Sequence, residues 1–410
     1  MNIFVNLELP DRWRIQKFID VGNFQYGYTT SSTRKNSGVR LLRITDIGEN
    51  GSVNWNMVPF GEIDDRDFEN YKLKIGDILF ARIGATTGKT CIINKQAPKS
   101  IFASYLIRFI AKDHVNPGYF FYYTYSSFYY KQVNAGKEGK LKKGLNVNQL
   151  KDFIIPLPPL AEQKKISAVL SAVQEAKEKT GEVIRAGQEL KKSLMNHLFT
   201  YGPVPPQDVL HVKLKDSEIG FIPISWEVKP LVEIATLQRG RDLPRSKMNI
   251  GNYPVVGSGG ILGYHNEYIC EPPGLVTGRS GSIGSIIYIE EKYWPHNTGL
   301  YVKDFHGNYQ KFVYYLLHKF EFKKYSTGVS VPTLNRNFVH SILLSLPPLE
   351  IQKKISEILT IIDKKIEAEE TKKTALDNLF KTLLENLMTG KTRVNHLELP
   401  VEPAETTEEP

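Results

Sequence analysis

Two stretches of the chain, LNVNQLKDFIIPLPPLAEQKKISAVLSAV from Leu145 and LNRNFVHSILLSLPPLEIQKKISEILTII from Leu334, align without a gap at a constant offset of 189 residues. Identical pairs include Leu145 with Leu334, Asn146 with Asn335, Asn148 with Asn337, the Leu-Pro-Pro-Leu blocks at 157 and 346, and Gln-Lys-Lys-Ile-Ser at 163 and 352. The register persists through Leu190 with Leu379, Leu194 with Leu383 and Leu198 with Leu387. A gapless repeat of this length means one supersecondary unit built twice in a single chain. A fainter echo precedes each copy: PDRWRIQKF at Pro10 and PISWEVKPL at Pro223 pair Trp13 with Trp226 and, in the same register, Gly27 with Gly240. The order is a divergent segment, the repeat, a second divergent segment, the repeat again, and a tail.

The repeated blocks read as long helices. Paired prolines stand just ahead of each periodic run, where a missing N–H costs nothing. In the second copy Ile355, Leu359, Ile362, Ile366, Leu376, Phe380, Leu383 and Leu387 follow a coiled-coil seam, interrupted by Glu369 and Lys373. Ile166, Leu170, Val173, Ile184, Leu194 and Leu198 match it in the first, with Lys177, Thr180, Gly187 and Lys191 as defects. A seam of about four heptads argues for a coiled coil, and roughly 33 residues at about 1.5 Å each make a rod of about 50 Å. The economical arrangement pairs the two copies antiparallel; packing of each helix on its own divergent segment is the alternative. Leu160, Ile166, Leu170, Leu194, Leu198, Leu349, Ile355, Leu359, Leu383 and Leu387 are the expected helix–helix and subunit-docking positions.

The divergent segments read as mixed α/β. VRLLRITDI, KIGDILFARIG and SIFASYLIRFIA in the first, and NYPVVGSGGILGYHN and GLVTGRSGSIGSIIYIEE in the second, are short apolar strands between Gly, Asn and Asp. Each segment ends in an aromatic-rich helix, GYFFYYTYSSFYYKQV or KFVYYLLHKFEFKKY. The expected fold is α/β (α+β): domain 1 at 1–150, long helix 1 at 151–201, domain 2 at 202–345, long helix 2 at 346–392 and an acidic disordered tail at 393–410.

Charge narrows the partners. Lys and Arg number 53 against 44 acidic residues, a formal charge of +9, and after Arg393 the chain carries Glu but neither Lys nor Arg. The body is therefore more basic than the total, which favours a polyanion such as nucleic acid. Cys91 and Cys270 are far apart, giving neither a disulfide framework nor a zinc site. No run of 18 apolar residues is present, so the expected location is the cytoplasm, with no membrane partner.

Catalytic motifs are missing: there is no GxSxG, HExxH, complete Walker A or strand-linked GxGxxG, and the nine histidines have no ligand spacing. RIGATTGKT, from Arg82, imitates a phosphate loop but has only three residues between Gly84 and Gly88. Its counterpart GRSGSIGSI, from Gly278, keeps an Arg and paired Gly but no Lys. A strand-connecting turn is expected, not a nucleotide site. Arg and Lys beside Gly in such loops suit contacts with DNA. The candidates are Arg40, Arg43, Arg82 and Lys89, the basic run Lys140, Lys142 and Lys143, and in the second segment Arg239, Arg241, Arg245, Lys247 and Arg279. The aromatic run YFFYYTYSSFYY is able to stack on unpaired bases, but rings on several faces of a helix are better explained as core.

IPLPPLAEQKKI and SLPPLEIQKKI opening the helices, LPDRWRIQKF and IPISWEVKPL opening the divergent segments, and YPVVGSGGILGY with GRSGSIG together resemble the specificity subunit of type I restriction-modification systems, over residues 7 to 392. The resemblance implies a non-catalytic reader in which two target recognition domains bind the halves of a bipartite double-stranded DNA target. The helices would space the half-sites and dock two modification subunits. S-adenosylmethionine, ATP and Mg would then belong to modification and restriction subunits, with no cofactor or metal in this chain. The copies differ at EIQKK, where the first has AEQKK.

Overall fold

The structure, a computed structural model, describes residues 9–94, 97–137, 144–320, 322–327 and 333–398. The chain divides into two compact units, Met1–Thr180 with Lys372–Pro410, and Gly181–Thr371. Both divisions fall inside long helices, Leu160–Tyr201 and Leu349–Met388. Each unit therefore contains one divergent segment and half of each repeated helix.

Within the first unit a four-stranded antiparallel sheet runs in the order Gly22–Tyr26, Leu106–Ala111, Ile78–Ala81, Thr90–Ile92. The second unit has the same topology in Thr236–Arg239, Gly299–Asp304, Gly274–Gly278 and Ile286–Ile289. Ile78–Ala81 and Gly274–Gly278 are buried at every residue, as apolar runs covered on both faces should be. Each unit also has a smaller sheet with one parallel pair, Arg40–Leu42 with Ser100–Phe102 or Tyr253–Gly257 with Trp294–Pro295. The chain passes from the larger sheet to the smaller through the glycine found in both segments. A Cβ on Gly27 would lie 2.1 Å from the Ala103 carbonyl oxygen, and one on Gly240 2.2 Å from that of His296. Only a residue without a side chain allows the two backbones so close.

The ends of each divergent segment meet. Arg14–Lys17 pairs antiparallel with Ile154–Leu157, and Glu227–Pro230 with Leu343–Leu346. The strand after each Trp thus lies beside the strand that runs into the proline pair, fixing where the long helix begins. The repeated asparagines cap short helices here: Asn146 accepts from the Gln149 N–H at 2.9 Å, and Asn335 from the Asn337 N–H at 3.0 Å.

The aromatic run is core. Tyr119, Phe120, Phe121, Tyr122, Tyr123 and Tyr129 are buried, and the buried hydroxyls find carbonyls: Tyr119 donates to Pro156 at 2.5 Å, Tyr123 to Ile154 at 2.7 Å and Tyr129 to Gly88 at 2.8 Å. Phe109 and Phe120 stack at 3.9 Å between ring centroids.

The long helices pair antiparallel in each unit, and both anticipated packings occur together. In the first unit Ile166 and Leu170 join Leu383, Leu384 and Leu387 in one core with the aromatic helix. In the second, Leu194 and Leu198 join Ile355 and Leu359 in a core with Phe312 and Leu316. Leu160 is half-buried and Leu349 exposed, so neither contributes to these cores. The seam defects are matched across the pair. Lys177 meets Asp377 at 2.8 Å in the first unit, and Lys191 meets Asp363 at 2.5 Å in the second. Gly187 faces Ile366, whose Cγ1 would lie 3.1 Å from an added Cβ, so the small residue brings the helices close.

The repeated glutamine explains much of the repeat. Gln163 accepts from the Asn116 N–H at 2.8 Å and donates to the carbonyls of His114 at 3.1 Å and Pro158 at 2.8 Å. Gln352 accepts from the Tyr309 N–H at 2.9 Å and donates to the Pro347 carbonyl at 2.9 Å and the Asn308 Oδ1 at 2.8 Å. Both glutamines are buried, and each latches the start of a long helix onto the domain before it.

Candidate nucleic-acid interface

RIGATTGKT is the turn of a hairpin between Ile78–Ala81 and Thr90–Ile92. The N–H groups around its second glycine are spent within the hairpin: Thr87 donates to the Gly84 carbonyl, Gly88 to Ala81 and Lys89 to Thr86. A phosphate cradle needs such donors free, and these three are occupied. Lys89 lies 4.0 Å from Glu49.

The turn nevertheless occupies the same place in both units. Leu145 donates its N–H to the Arg82 carbonyl at 2.8 Å, and Leu334 donates to Arg279 at 2.8 Å. These bonds make Arg82 and Arg279 structural equivalents, as the sequence comparison expects. By the same superposition Tyr26, before Gly27, corresponds to Arg239, before Gly240, and Val147 corresponds to Arg336 in the register of the repeat.

What fills these positions differs. In the first unit the Arg82 guanidinium lies 4.9 Å from the centre of the Tyr26 ring, and the Tyr26 hydroxyl accepts from the Val147 N–H at 3.1 Å. In the second unit Arg239, Arg279 and Arg336 line a cleft of about 460 Å³ with Leu300, Thr333, Leu334 and Asn335. Burial, then the neighbouring Arg239 charge, pushes the Arg279 pKa below its usual value. Arg336 was not foreseen, since it stands inside the repeated block, but its replacement of the apolar Val147 is visible there.

The remaining candidates differ in availability. The Arg43 guanidinium is tied to Asp46 by two hydrogen bonds, Nε to Oδ2 at 3.0 Å and NH2 to Oδ1 at 2.8 Å. This pairing raises the Arg43 pKa. Arg40 donates to the Val58 carbonyl and lies 4.0 Å over the Phe60 ring. Both guanidinium groups thus hold their own loop. Arg241, Arg245 and Lys247 are exposed, the last two on a single helical turn. Lys140, Lys142 and Lys143 lie outside the described residues. Among the described residues no cluster of His, Cys, Asp or Glu suits a metal ion, and no helix is long and apolar enough to cross a membrane.

Comparison with known proteins agrees with this doubled architecture. The family model of the type I restriction modification DNA specificity domain matches residues 10–184 and again 223–378. A putative type I restriction enzyme MjaX specificity subunit from Methanocaldococcus jannaschii is 27% identical over 415 residues, covering 94% of this chain and 95% of that protein. The type I restriction enzyme MjaVIII specificity subunit of the same organism is 28% identical, covering 78% and 80%. Among solved structures, the type I restriction-modification S subunit from M. genitalium superposes with a TM-score of 0.64 at 17% identity, over 94% of this chain and 98% of that one. With both matched regions falling on the two divergent segments and the helices that follow them, the chain belongs to the family of type I restriction-modification specificity subunits.

Proposed function

We propose that this chain reads a bipartite duplex DNA target, one half through each unit, and that its repeated helices dock two modification subunits. The observation that carries this reading is the pairing of one sheet topology with different side chains at equivalent surface positions, Tyr26, Arg82 and Val147 against Arg239, Arg279 and Arg336. A common frame with dissimilar polar surfaces suits two different half-sites, while the alike helices suit two copies of one partner. The chain supplies recognition and leaves S-adenosylmethionine, ATP and Mg chemistry to modification and restriction subunits.

Contacts to DNA are assigned to Arg82 and Lys89 in the first unit and to Arg239, Arg241, Arg245, Lys247 and Arg279 in the second, with Lys140, Lys142 and Lys143 as phosphate contacts. Arg40 and Arg43 shape the loop beside them. The test is selection from a random duplex library by the chain reconstituted with its modification subunits. A bipartite sequence should be enriched, and Arg82→Ala should relax one position of one half at a cost of about 1–3 kcal/mol. A scaffold that organises proteins without DNA would enrich no sequence.

A further inference from the structure

We infer that Arg239, Arg279 and Arg336 form a clamp for one DNA backbone phosphate, present in the second unit and reduced to a single cation in the first. The inference rests on the DNA-reading function above and specifies what this cleft takes.

Three elements converge on the cleft. Arg239 ends the strand Thr236–Arg239, Arg279 follows the strand Gly274–Gly278, and Arg336 opens the short helix after Asn335. Backbone bonds hold them in place: Leu334 N–H to the Arg279 carbonyl at 2.8 Å, Arg279 N–H to the Thr298 carbonyl at 3.0 Å, and a bridge between Ser280 and Thr333. No carboxylate lines the cleft, and among the described residues none of the three guanidinium groups has a side-chain hydrogen bond or ion pair. Arg43 and Arg108, by contrast, each have an aspartate.

Three uncompensated cations around one cleft repel one another unless an anion enters. A guanine edge accepts one bidentate arginine and carries no net charge. A phosphate diester offers two unesterified oxygens sharing a full negative charge, the partner that planar guanidinium forks match best. The equivalent place in the first unit has Tyr26 and Val147 beside Arg82, and the Tyr26 hydroxyl is already bonded to backbone. The two half-sites are therefore gripped with unequal electrostatic strength.

The experiment uses the full chain with its modification subunits and the selected target duplex, measuring affinity against salt. Replacing all three, Arg239→Gln, Arg279→Gln and Arg336→Gln, should reduce the slope of log K against log salt by about 0.9, the value for a single phosphate no longer neutralised, with the selected base sequence unchanged. The corresponding triple variant Arg239→Lys, Arg279→Lys and Arg336→Lys, which keeps the charges, should retain the slope. Placing a neutral methylphosphonate at successive positions of the second half-site should find one position whose effect is not additive with the triple Gln variant. Circular dichroism melts that match wild type show that the variants are folded. An unchanged slope, an altered base preference in place of a slope change, or loss of inorganic phosphate binding with no effect on DNA would each overturn the clamp. If the wild-type complex enriched no bipartite sequence, the DNA-reading function would fall with it.

Discussion

Trp13 donates its indole N–H to Glu162 Oε2 at 3.1 Å, and Glu162 is one of the few buried carboxylates among the described residues. Arg393 completes the group, its Nε 2.6 Å and its NH2 3.0 Å from the same carboxylate. The second unit has Trp226 as well, but the repeat places Ile351 where the first copy has Glu162, and both Trp226 and Ile351 lie against Gly202. The replacement of Glu162 in AEQKK by Ile351 in EIQKK thus puts an ion pair in one copy and an apolar contact in the other.

Breaking that pair from one side should be worse than replacing it. Arg393→Ala leaves the Glu162 carboxylate desolvated and should cost about 3 kcal/mol, whereas adding Glu162→Ile, as in the second copy, should recover more than half. Urea unfolding midpoints of both variants check this; additive losses would refute it.

Gln163→Ala and Gln352→Ala should each destabilise by about 1–3 kcal/mol, because each strands a buried N–H and carbonyls that have no other partner in that pocket. Hydrogen exchange at the Asn116 and Tyr309 amides is the direct readout: each should lose protection only in the variant of its own unit. Unchanged exchange would show that the latches do not hold.

Gly27→Ala and Gly240→Ala should behave alike, since both Cβ atoms would collide with a carbonyl oxygen. A loss of about 1–3 kcal/mol is expected for each from the forced backbone shift. Thermal melts showing one of the two at wild-type stability would mean that the crossings are not equivalent.

Alkaline pH should unfold the first unit. Burial holds the pKa of Tyr119 and Tyr129 well above the usual 10.0, so their contribution to stability is intact below about pH 10 and is lost as pH rises beyond it, where the unfolded chain releases those protons. Tyrosinate absorbance from these residues should appear together with loss of helical circular dichroism. Free titration with the helix retained would contradict their burial.

The repeat, the buried aromatic helix and the equivalence of Arg82 with Arg279 were all legible in the sequence, because each depends on local pattern or register. The pairing of Lys177 and Lys191 with aspartates was not, since a lysine in a heptad seam reads as a defect until the opposite helix is known. The contacts of Arg40 and Arg43 were not legible for a related reason: an arginine beside a loop gives no sign in sequence that its guanidinium reaches back to Val58 or Asp46. The cleft arginines come from three separated elements, so their convergence needed the fold.

The bonds of the two buried glutamines run almost entirely to main-chain atoms, with Asn308 as the one side-chain partner. A joint that grips peptide groups takes no account of which side chains they carry. Mutations can therefore accumulate over the face of either recognition domain, changing what it reads, without loosening its attachment to the shared helices.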